Sequence, residues 1–159
     1  MNKRAIVEQI VAQLLAELAL YEKAARAAHA EATHEQSKAE NKYDTRGLEA
    51  SYLARGQSRQ AAELALAIEQ FQKLQIRNFT EADAIDVGAL VELKTKGERS
   101  FYFIGPRAGG TEISHAKKEI LVITPSSPLG QQLAGKKEGD QLELQIGPTR
   151  NIYRIASVL

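Results

Sequence analysis

Two stretches in the first half of the chain carry apolar residues at helical spacing. From Lys3 to about Ala39 there is no Pro or Gly, and most residues are good helix formers. Apolar positions there step by three and four, as one stripe of a helix does: Ile6, Ile10, Leu14, Leu18, Tyr21, Ala25 and Ala28. A second stripe follows Gly47, at Leu48, Tyr52, Leu53, Leu64, Ile68, Phe71 and Leu74.

These stripes predict an antiparallel helical hairpin. Helices of about 35 and 30 residues would extend roughly 45–55 Å, which is too long for a compact domain of this size. Packing the two helices against each other buries both stripes. We therefore assign residues 1–78 to a helical arm, a coiled coil with its tip near 37–47.

The periodicity of the apolar residues changes after Asn78. Short runs of Val, Ile, Phe and Tyr then alternate with polar residues, which is typical of half-buried strands. These runs lie at 90–94, 100–104, 120–123, 141–146 and 152–158. Pro128 suits the first turn of a short helix within 127–134. The prediction is an α+β protein of two domains, with the arm, a linker at 79–86 and a small β-rich domain at 87–159.

Composition excludes several classes of protein. The chain has 21 basic and 20 acidic residues, so it lacks the charge excess of a general nucleic-acid binder. Partner contacts must then come from shape and from local charged patches. No cysteine is present, which excludes a disulfide framework and a thiolate zinc site and suits the cytoplasm. No segment has the length and apolar character of a membrane span, so we expect no membrane partner.

The most distinctive motif lies between Ile123 and Asp140. It contains Ser127-Pro128, Gly130, Leu133, Gly135-Lys136 and Gly139-Asp140, with Thr124 near its start. This motif resembles the signature of the Gre factor family (GreA/GreB), bacterial proteins that rescue backtracked RNA polymerase. The family usually has Ser at the position of Thr124. Gre factors are built in the same order, a helical hairpin and then a small domain similar in fold to FK506-binding prolyl isomerases.

The resemblance implies a role on RNA polymerase. The C-terminal domain would dock on the polymerase rim through the loop formed by Ser127, Pro128, Leu129 and Gly130. The hairpin would enter the secondary channel, where contact with the 3′ end of the nascent RNA is possible. The polymerase would then cleave its own backtracked RNA. The factor would be a monomer and not itself an enzyme.

In Gre factors the hairpin tip carries Asp-x-x-Glu-Asn, whose carboxylates help to hold a second magnesium ion. Glu40 and Asn41 match the Glu-Asn pair, Ser37 occupies the Asp position, and Asp44 occupies the position of a family Tyr. On a continuing helix Glu40 and Asp44 would lie about 5–6 Å apart and could face one Mg²⁺ ion. That ion would bind weakly without the polymerase. Alternatively, both are solvated turn residues, with Asp44 capping the second helix.

Basic residues also cluster near the tip. Lys38, Lys42 and Arg46 step by four, and Arg55 and Arg59 lie farther along the second helix. They could contact phosphates or polymerase carboxylates inside a narrow channel. A solvated helix face is the alternative interpretation of the same spacing.

Several functions remain open at this point. A factor that stimulates RNA cleavage and a Gre-fold regulator that inhibits or modulates transcription without cleavage need the same shape, and Ser37 favours the second. A coiled-coil interaction module unrelated to polymerase is a third possibility. A prolyl isomerase is disfavoured because the chain has no Trp and its aromatic residues are spread out. The segment 107–119 is longer than the loop expected in the family.

Overall fold

The computed structural model describes residues 1–34 and 46–159. Its elements are α1 (Lys3–Thr33), α2 (Arg46–Gln72), β1 (Leu90–Thr95), β2 (Glu98–Ile104), β3 (Glu112–His115), β4 (Lys118–Ile123), α3 (Pro128–Leu133), β5 (Gln141–Ile146) and β6 (Thr149–Val158). The predicted α+β class is confirmed, with two long helices followed by a β-rich domain. All five predicted strands are present, and β3 was not predicted.

The first helix begins at a side-chain cap. The backbone amide of Ala5 donates a hydrogen bond to Oδ1 of Asn2 at 3.2 Å, and the amide of Ile6 donates to the Asn2 carbonyl at 3.1 Å. Asn at this position satisfies amides that have no partner within the helix. In the last turn, the hydroxyl of Thr33 donates to the His29 carbonyl at 2.9 Å.

The buried side of each long helix follows alternating steps of three and four residues, as in a coiled coil. In α1 the buried or half-buried positions of this series are Val7, Ile10, Leu14, Glu17, Tyr21, Ala24 and Ala28. In α2 they are Ala50, Ala54, Gln57, Ala61, Leu64, Ile68 and Phe71. The tip-proximal part of both series consists mainly of alanines, which bury little area and let helices approach closely.

The predicted stripe on α2 is wrong in its tip-proximal part. Leu48, Tyr52 and Leu53 are 55%, 61% and 55% exposed, whereas Ala50 and Ala54 are buried. Ile68 and Phe71 are buried at the other end of α2. Counting back from them in steps of three and four residues leads to Ala54 and Ala50, which are the buried positions of the same series. The larger apolar residues therefore fall on the outer side of α2.

The strands form one six-stranded sheet in the order β3-β4-β2-β1-β6-β5. Neighbouring strands are antiparallel except β2 and β4, which are parallel. The segment 107–119, expected to be a long loop, contains β3 and the tight turn into β4. This turn places Ala116 and Lys117 at positive φ, 52° and 62°, without the Gly or Asn that usually marks such a turn.

The two faces of the sheet carry different residues. Face A includes Phe101, Phe103 and Ile120, and the ring of Phe103 lies 6.3 Å from the ring of Phe71. Face B includes Leu93 and Ile155, which belong to the core cluster that also contains Leu133 of α3. Gly105 follows β2 at a point of close approach, because a β-carbon there would lie 2.7 Å from the ring of Phe71.

Two compact units divide the chain within the long helices. One unit comprises Met1–Val11 and Gln70–Leu159, and the other comprises Ala12–Glu69. The ends of both helices thus belong with the sheet. The division into an arm at 1–78, a linker at 79–86 and a docking domain at 87–159 stays a prediction. Within the described residues, no helix has the length and apolar character needed to cross a membrane.

Lys3 joins the start of α1 to the segment that precedes the sheet. Its ammonium donates hydrogen bonds to the carbonyl oxygens of Arg77 and Gly88, the latter at 3.1 Å, and lies 4.8 Å from the centre of the Phe79 ring. The Arg77 guanidinium lies 3.9 Å from the centre of the same ring. Burial, aided by the nearby charge of Arg77, lowers the pKa of Lys3 from 10.5 to about 8.

Candidate functional site

The loop predicted to dock on a partner is held by its own hydrogen bonds. The hydroxyl of Ser127 donates to the Thr124 carbonyl at 2.7 Å and accepts from the Gly130 amide at 3.0 Å. Ser127 is the N-cap of α3, and Pro128 occupies its first turn, where a missing N–H costs nothing. The side chain of Gln131 adds a bond to the Ser126 carbonyl at 3.2 Å.

Gly130 is needed for the shape of this loop. A β-carbon at this position would lie 1.9 Å from the carbonyl oxygen of Thr124 and 2.8 Å from the Ser127 hydroxyl. Both distances are far below van der Waals contact, and the first obstacle is backbone. Any side chain would therefore displace the turn that positions Ser127.

The later residues of the motif also have structural roles. Leu133 is fully buried in the core cluster on face B. Gly135 and Gly139 adopt positive φ, 78° and 89°, which glycine accommodates without strain. The carboxylate of Asp140 accepts a hydrogen bond from the Lys137 amide at 2.8 Å and so closes the turn before β5.

Two residues of the docking loop remain available for contact. Pro128 is exposed and Leu129 is half-buried, whereas Gly130 is buried and Ser127 is engaged in the cap. Direct partner contact through all four residues stays a prediction. If the loop docks, Pro128 and Leu129 are the side chains that it can offer.

The predicted tip residues lie outside the described part of the chain. This applies to Glu40, Asn41 and Asp44, and also to Ser37, Lys38 and Lys42. Arg46 is the first residue of α2. In the described ranges 1–34 and 46–159, no group of three or more His, Asp or Glu side chains could hold a metal ion. The predicted Mg²⁺ site therefore stays an expectation for Glu40 and Asp44.

A basic groove lies between α1 and α2 in the unit Ala12–Glu69. Its volume is about 940 Å³, and three basic residues, Arg26, Arg55 and Arg59, line it together with His29. Hydroxyls of Thr33, Ser51 and Ser58 complete its polar lining. Arg55 and Arg59 were singled out in the sequence, whereas Arg26 and His29 were not. Arg26 and His29 are three residues apart, which places them on one face of α1, and this spacing could have indicated their shared position.

Asp83 fixes the segment just before the sheet. Its carboxylate accepts hydrogen bonds from the amide and the hydroxyl of Thr80 at 2.7 and 2.8 Å. These bonds, with a smaller contribution from Arg77, hold the pKa of this carboxyl below its ordinary value. Arg77 lies 3.7 Å from the same carboxylate.

Comparison with known families agrees with the motif at 123–140. Residues 80–159 match the family described as "Transcription elongation factor, GreA/GreB, C-term". Two similar solved structures are the GreA factor homolog 1 (Gfh1) proteins of Thermus thermophilus and Thermus aquaticus. The first is 20% identical with a TM-score of 0.39, covering 94% of each chain. The second is 22% identical with a TM-score of 0.41, covering 92% of this chain and 91% of the other. No curated protein matches the chain.

Proposed function

Because the chain belongs to the GreA/GreB family of transcription elongation factors, we propose that it binds in the secondary channel of bacterial RNA polymerase and stimulates the polymerase's own cleavage of backtracked RNA. The C-terminal domain docks on the outside of the polymerase, and the helical arm reaches inward. The factor supplies side chains to the polymerase's active site and has no hydrolytic activity alone.

The observation that carries this proposal is the construction of the loop at 124–130. Three features make this turn rigid. The side chain of Ser127 caps α3, the ring of Pro128 fixes its φ, and Gly130 allows a close approach to the backbone at Thr124. A rigid turn presents Pro128 and the half-buried Leu129 at little cost in conformational entropy, which favours binding. Residues 80–159, which include this loop, are the part matched by the family.

The helical arm supports the proposal through its basic groove. Arg26, Arg55 and Arg59 line one groove together with His29. Cations concentrated in a cleft attract anionic groups more strongly than scattered ones. In the polymerase channel these residues, with Lys38, Lys42 and Arg46 nearer the tip, would face phosphates or carboxylates. Contact with the 3′ end of the nascent RNA is part of this proposal.

The chemistry of cleavage is assigned to the tip. Glu40 and Asp44 hold a Mg²⁺ ion jointly with the polymerase, and Asn41 lies beside them in sequence. The ion is supplied in the complex, because Mg²⁺ is usually bound by one or two carboxylates plus phosphates and water. In two-metal sites such an ion helps to generate and place the attacking water.

A regulator that occupies the channel without promoting cleavage is the second candidate. Ser37 favours it, because a hydroxyl replaces the carboxylate found at this position in Gre factors. The two candidates share docking and channel entry. They differ only in whether RNA is cut.

A transcript-cleavage assay on stalled, backtracked polymerase separates these functions. We expect the wild type to accelerate cleavage, Glu40→Ala and Asp44→Ala to reduce it by about tenfold or more, and Ser37→Asp to increase it. Each variant should bind polymerase as the wild type does, because the docking loop belongs to the C-terminal domain and not to the arm. Wild type that gives no cleavage yet competes with an active Gre factor would establish the inhibitor.

Docking is tested separately with the double variant Pro128→Ala, Leu129→Asp. An apolar anchor at an interface often contributes about 2 kcal/mol or more, so polymerase affinity should fall by at least about thirtyfold. Exposed Leu20→Asp on α1, 69% exposed, is the matched control for a Leu-to-Asp change. Unchanged affinity in the double variant, with its fold intact, would exclude this loop as the docking site.

A further inference from the structure

A row of basic residues crosses face A of the sheet. In the antiparallel pairs, Lys94 of β1 lies directly opposite Arg99 of β2 and also opposite Arg154 of β6. In the parallel pair of β2 and β4, Phe101 lies beside Ile120. Arg99 and Lys118 are each two residues before these positions, so they are neighbours on the same face. The basic row, in spatial order, is Lys118, Arg99, Lys94 and Arg154.

Three members of the basic row are exposed, Lys118 is half-buried, and the row is only partly neutralised. Arg99 forms an ion pair with Glu92 at 3.0 Å, and the Lys118 ammonium lies 4.5 Å from the centre of the Phe101 ring. Within the described residues, the side chains of Lys94 and Arg154 form no ion pair or hydrogen bond with another residue. Two uncompensated cations thus lie at the centre and at one end of the row.

This arrangement is unfavourable in the isolated protein. Like charges directly opposite each other on neighbouring strands destabilise a sheet. Lys94 has such a neighbour on both sides, Arg99 and Arg154. An anionic partner would replace this repulsion with attraction.

We propose that the basic row is a docking surface for an acidic segment of a protein partner. Adjacent strands are about 4.7–4.9 Å apart, and carboxylates at i and i+4 on a helix are about 5–6 Å apart. A helix bearing a stripe of Glu or Asp therefore matches the spacing of the row. This surface is on face A, whereas α3 and its loop pack on face B. The contact is thus separate from the proposed docking loop.

Two features favour an acidic protein over a nucleic acid. The aromatic ring next to the row, that of Phe101, is buried beneath Lys118 and is not available for stacking on bases. Ile152 lies two residues from Arg154 on the same side of β6 and is 63% exposed, which offers an apolar contact beside the charges. Protein interfaces combine apolar and charged contacts in this way, whereas a phosphate backbone gives only the charge.

Binding of a labelled helical peptide tests this surface with the full-length protein. The probe carries Glu at successive i, i+4 positions, and a second probe has Gln at the same positions. We expect the Glu probe to bind, to weaken as salt is raised, and to bind much more tightly than the Gln probe. Equal binding of the two probes, or no binding of the Glu probe at low salt, would overturn the proposal.

The variant Lys94→Glu assigns the binding to the row. This variant should lower the affinity for the Glu probe by about tenfold or more. It should also raise the Tm, because the new carboxylate would lie between Arg99 and Arg154. A loss of binding with a gain in stability cannot be explained by misfolding. Lys23→Glu, an exposed position on α1, makes the same charge change and should leave both quantities nearly unaltered.

Three results of the variant experiment would contradict the proposal. One is equal affinity of Lys94→Glu and Lys23→Glu for the Glu probe. Another is a lower Tm in Lys94→Glu, which would refute the repulsion along the row. The third is a single-stranded RNA of equal charge that binds more tightly than the peptide and loses that binding in Lys94→Glu, since the partner would then be a nucleic acid.

Discussion

The carbonyl oxygen of Thr124 lies 1.9 Å from the position that a β-carbon on Gly130 would occupy. The loop between these two residues can keep its shape only with glycine at 130. We predict that Gly130→Ala lowers the free energy of unfolding by about 1–3 kcal/mol or more, because backbone must move to relieve the overlap. Urea unfolding of the variant measures this loss.

Gly56→Ala is the matched control. Gly56 lies inside α2, and a β-carbon there would meet no atom within 4 Å. Alanine in a helix interior is favoured over glycine by about 1 kcal/mol, so this variant should be more stable than the wild type. A Gly130→Ala protein as stable as the wild type would show that the 124–130 turn tolerates a side chain.

Two residues on α2 test the phase of the helix pairing. Ala50 is 9% exposed and Leu53 is 55% exposed. Ala50→Asp places a carboxylate among buried side chains and should destabilise the unit Ala12–Glu69 by about 2–4 kcal/mol. Leu53→Asp should cost about 1 kcal/mol or less. Thermal unfolding followed by circular dichroism measures the stability of both variants. If Leu53→Asp were the more destabilising of the two, the stripe predicted from the sequence would be correct.

Lys3 makes stability depend on pH. Its folded-state pKa is lowered from 10.5 to about 8, so between these values the unfolded chain binds more protons than the folded one. The free energy of unfolding therefore rises with pH across this window, and the cost of burying the charge is present in full below it. Measured relative to Lys3→Met, the wild type should gain stability from pH 8 to 10.5. A difference that stays constant or falls would contradict the effect of burial.

Strong local signals explain which elements could be predicted from the sequence. Pro128 after Ser127 identified α3, and alternating Val, Ile and Phe identified the strands on either side of it. β3 has one buried apolar residue, Ile113, and leads into a turn formed by Ala116 and Lys117. Neither feature is typical of a hairpin, so the strand is recognisable only through its pairing with β4.

The phase of the helix pairing was missed for a different reason. Leu48, Tyr52 and Leu53 are more hydrophobic than Ala50 and Ala54, and the apolar pattern alone favours burying them. The observed phase follows from Ile68 and Phe71 at the other end of α2. Size and hydropathy cannot determine it where the buried residues are alanines.

The candidate sites were predictable to different extents. The motif at 123–140 was visible because its residues are contiguous, although sequence alone could not separate the cap formed by Ser127 from contact through Pro128. The basic row was not visible, because it takes one residue from each of four strands that become neighbours only in the sheet. The groove on the arm likewise combines residues from both helices.

Photo-crosslinking from two positions tests channel entry most directly. A photoreactive amino acid replaces Asn41 in one variant and Pro128 in another, and each is bound to a backtracked polymerase complex. We predict that position 41 crosslinks to polymerase residues beside the catalytic magnesium or to the RNA 3′ end, and that position 128 crosslinks to the outer rim of the channel. Crosslinks from position 41 only to the outer surface, in a protein that remains bound, would contradict entry of the arm.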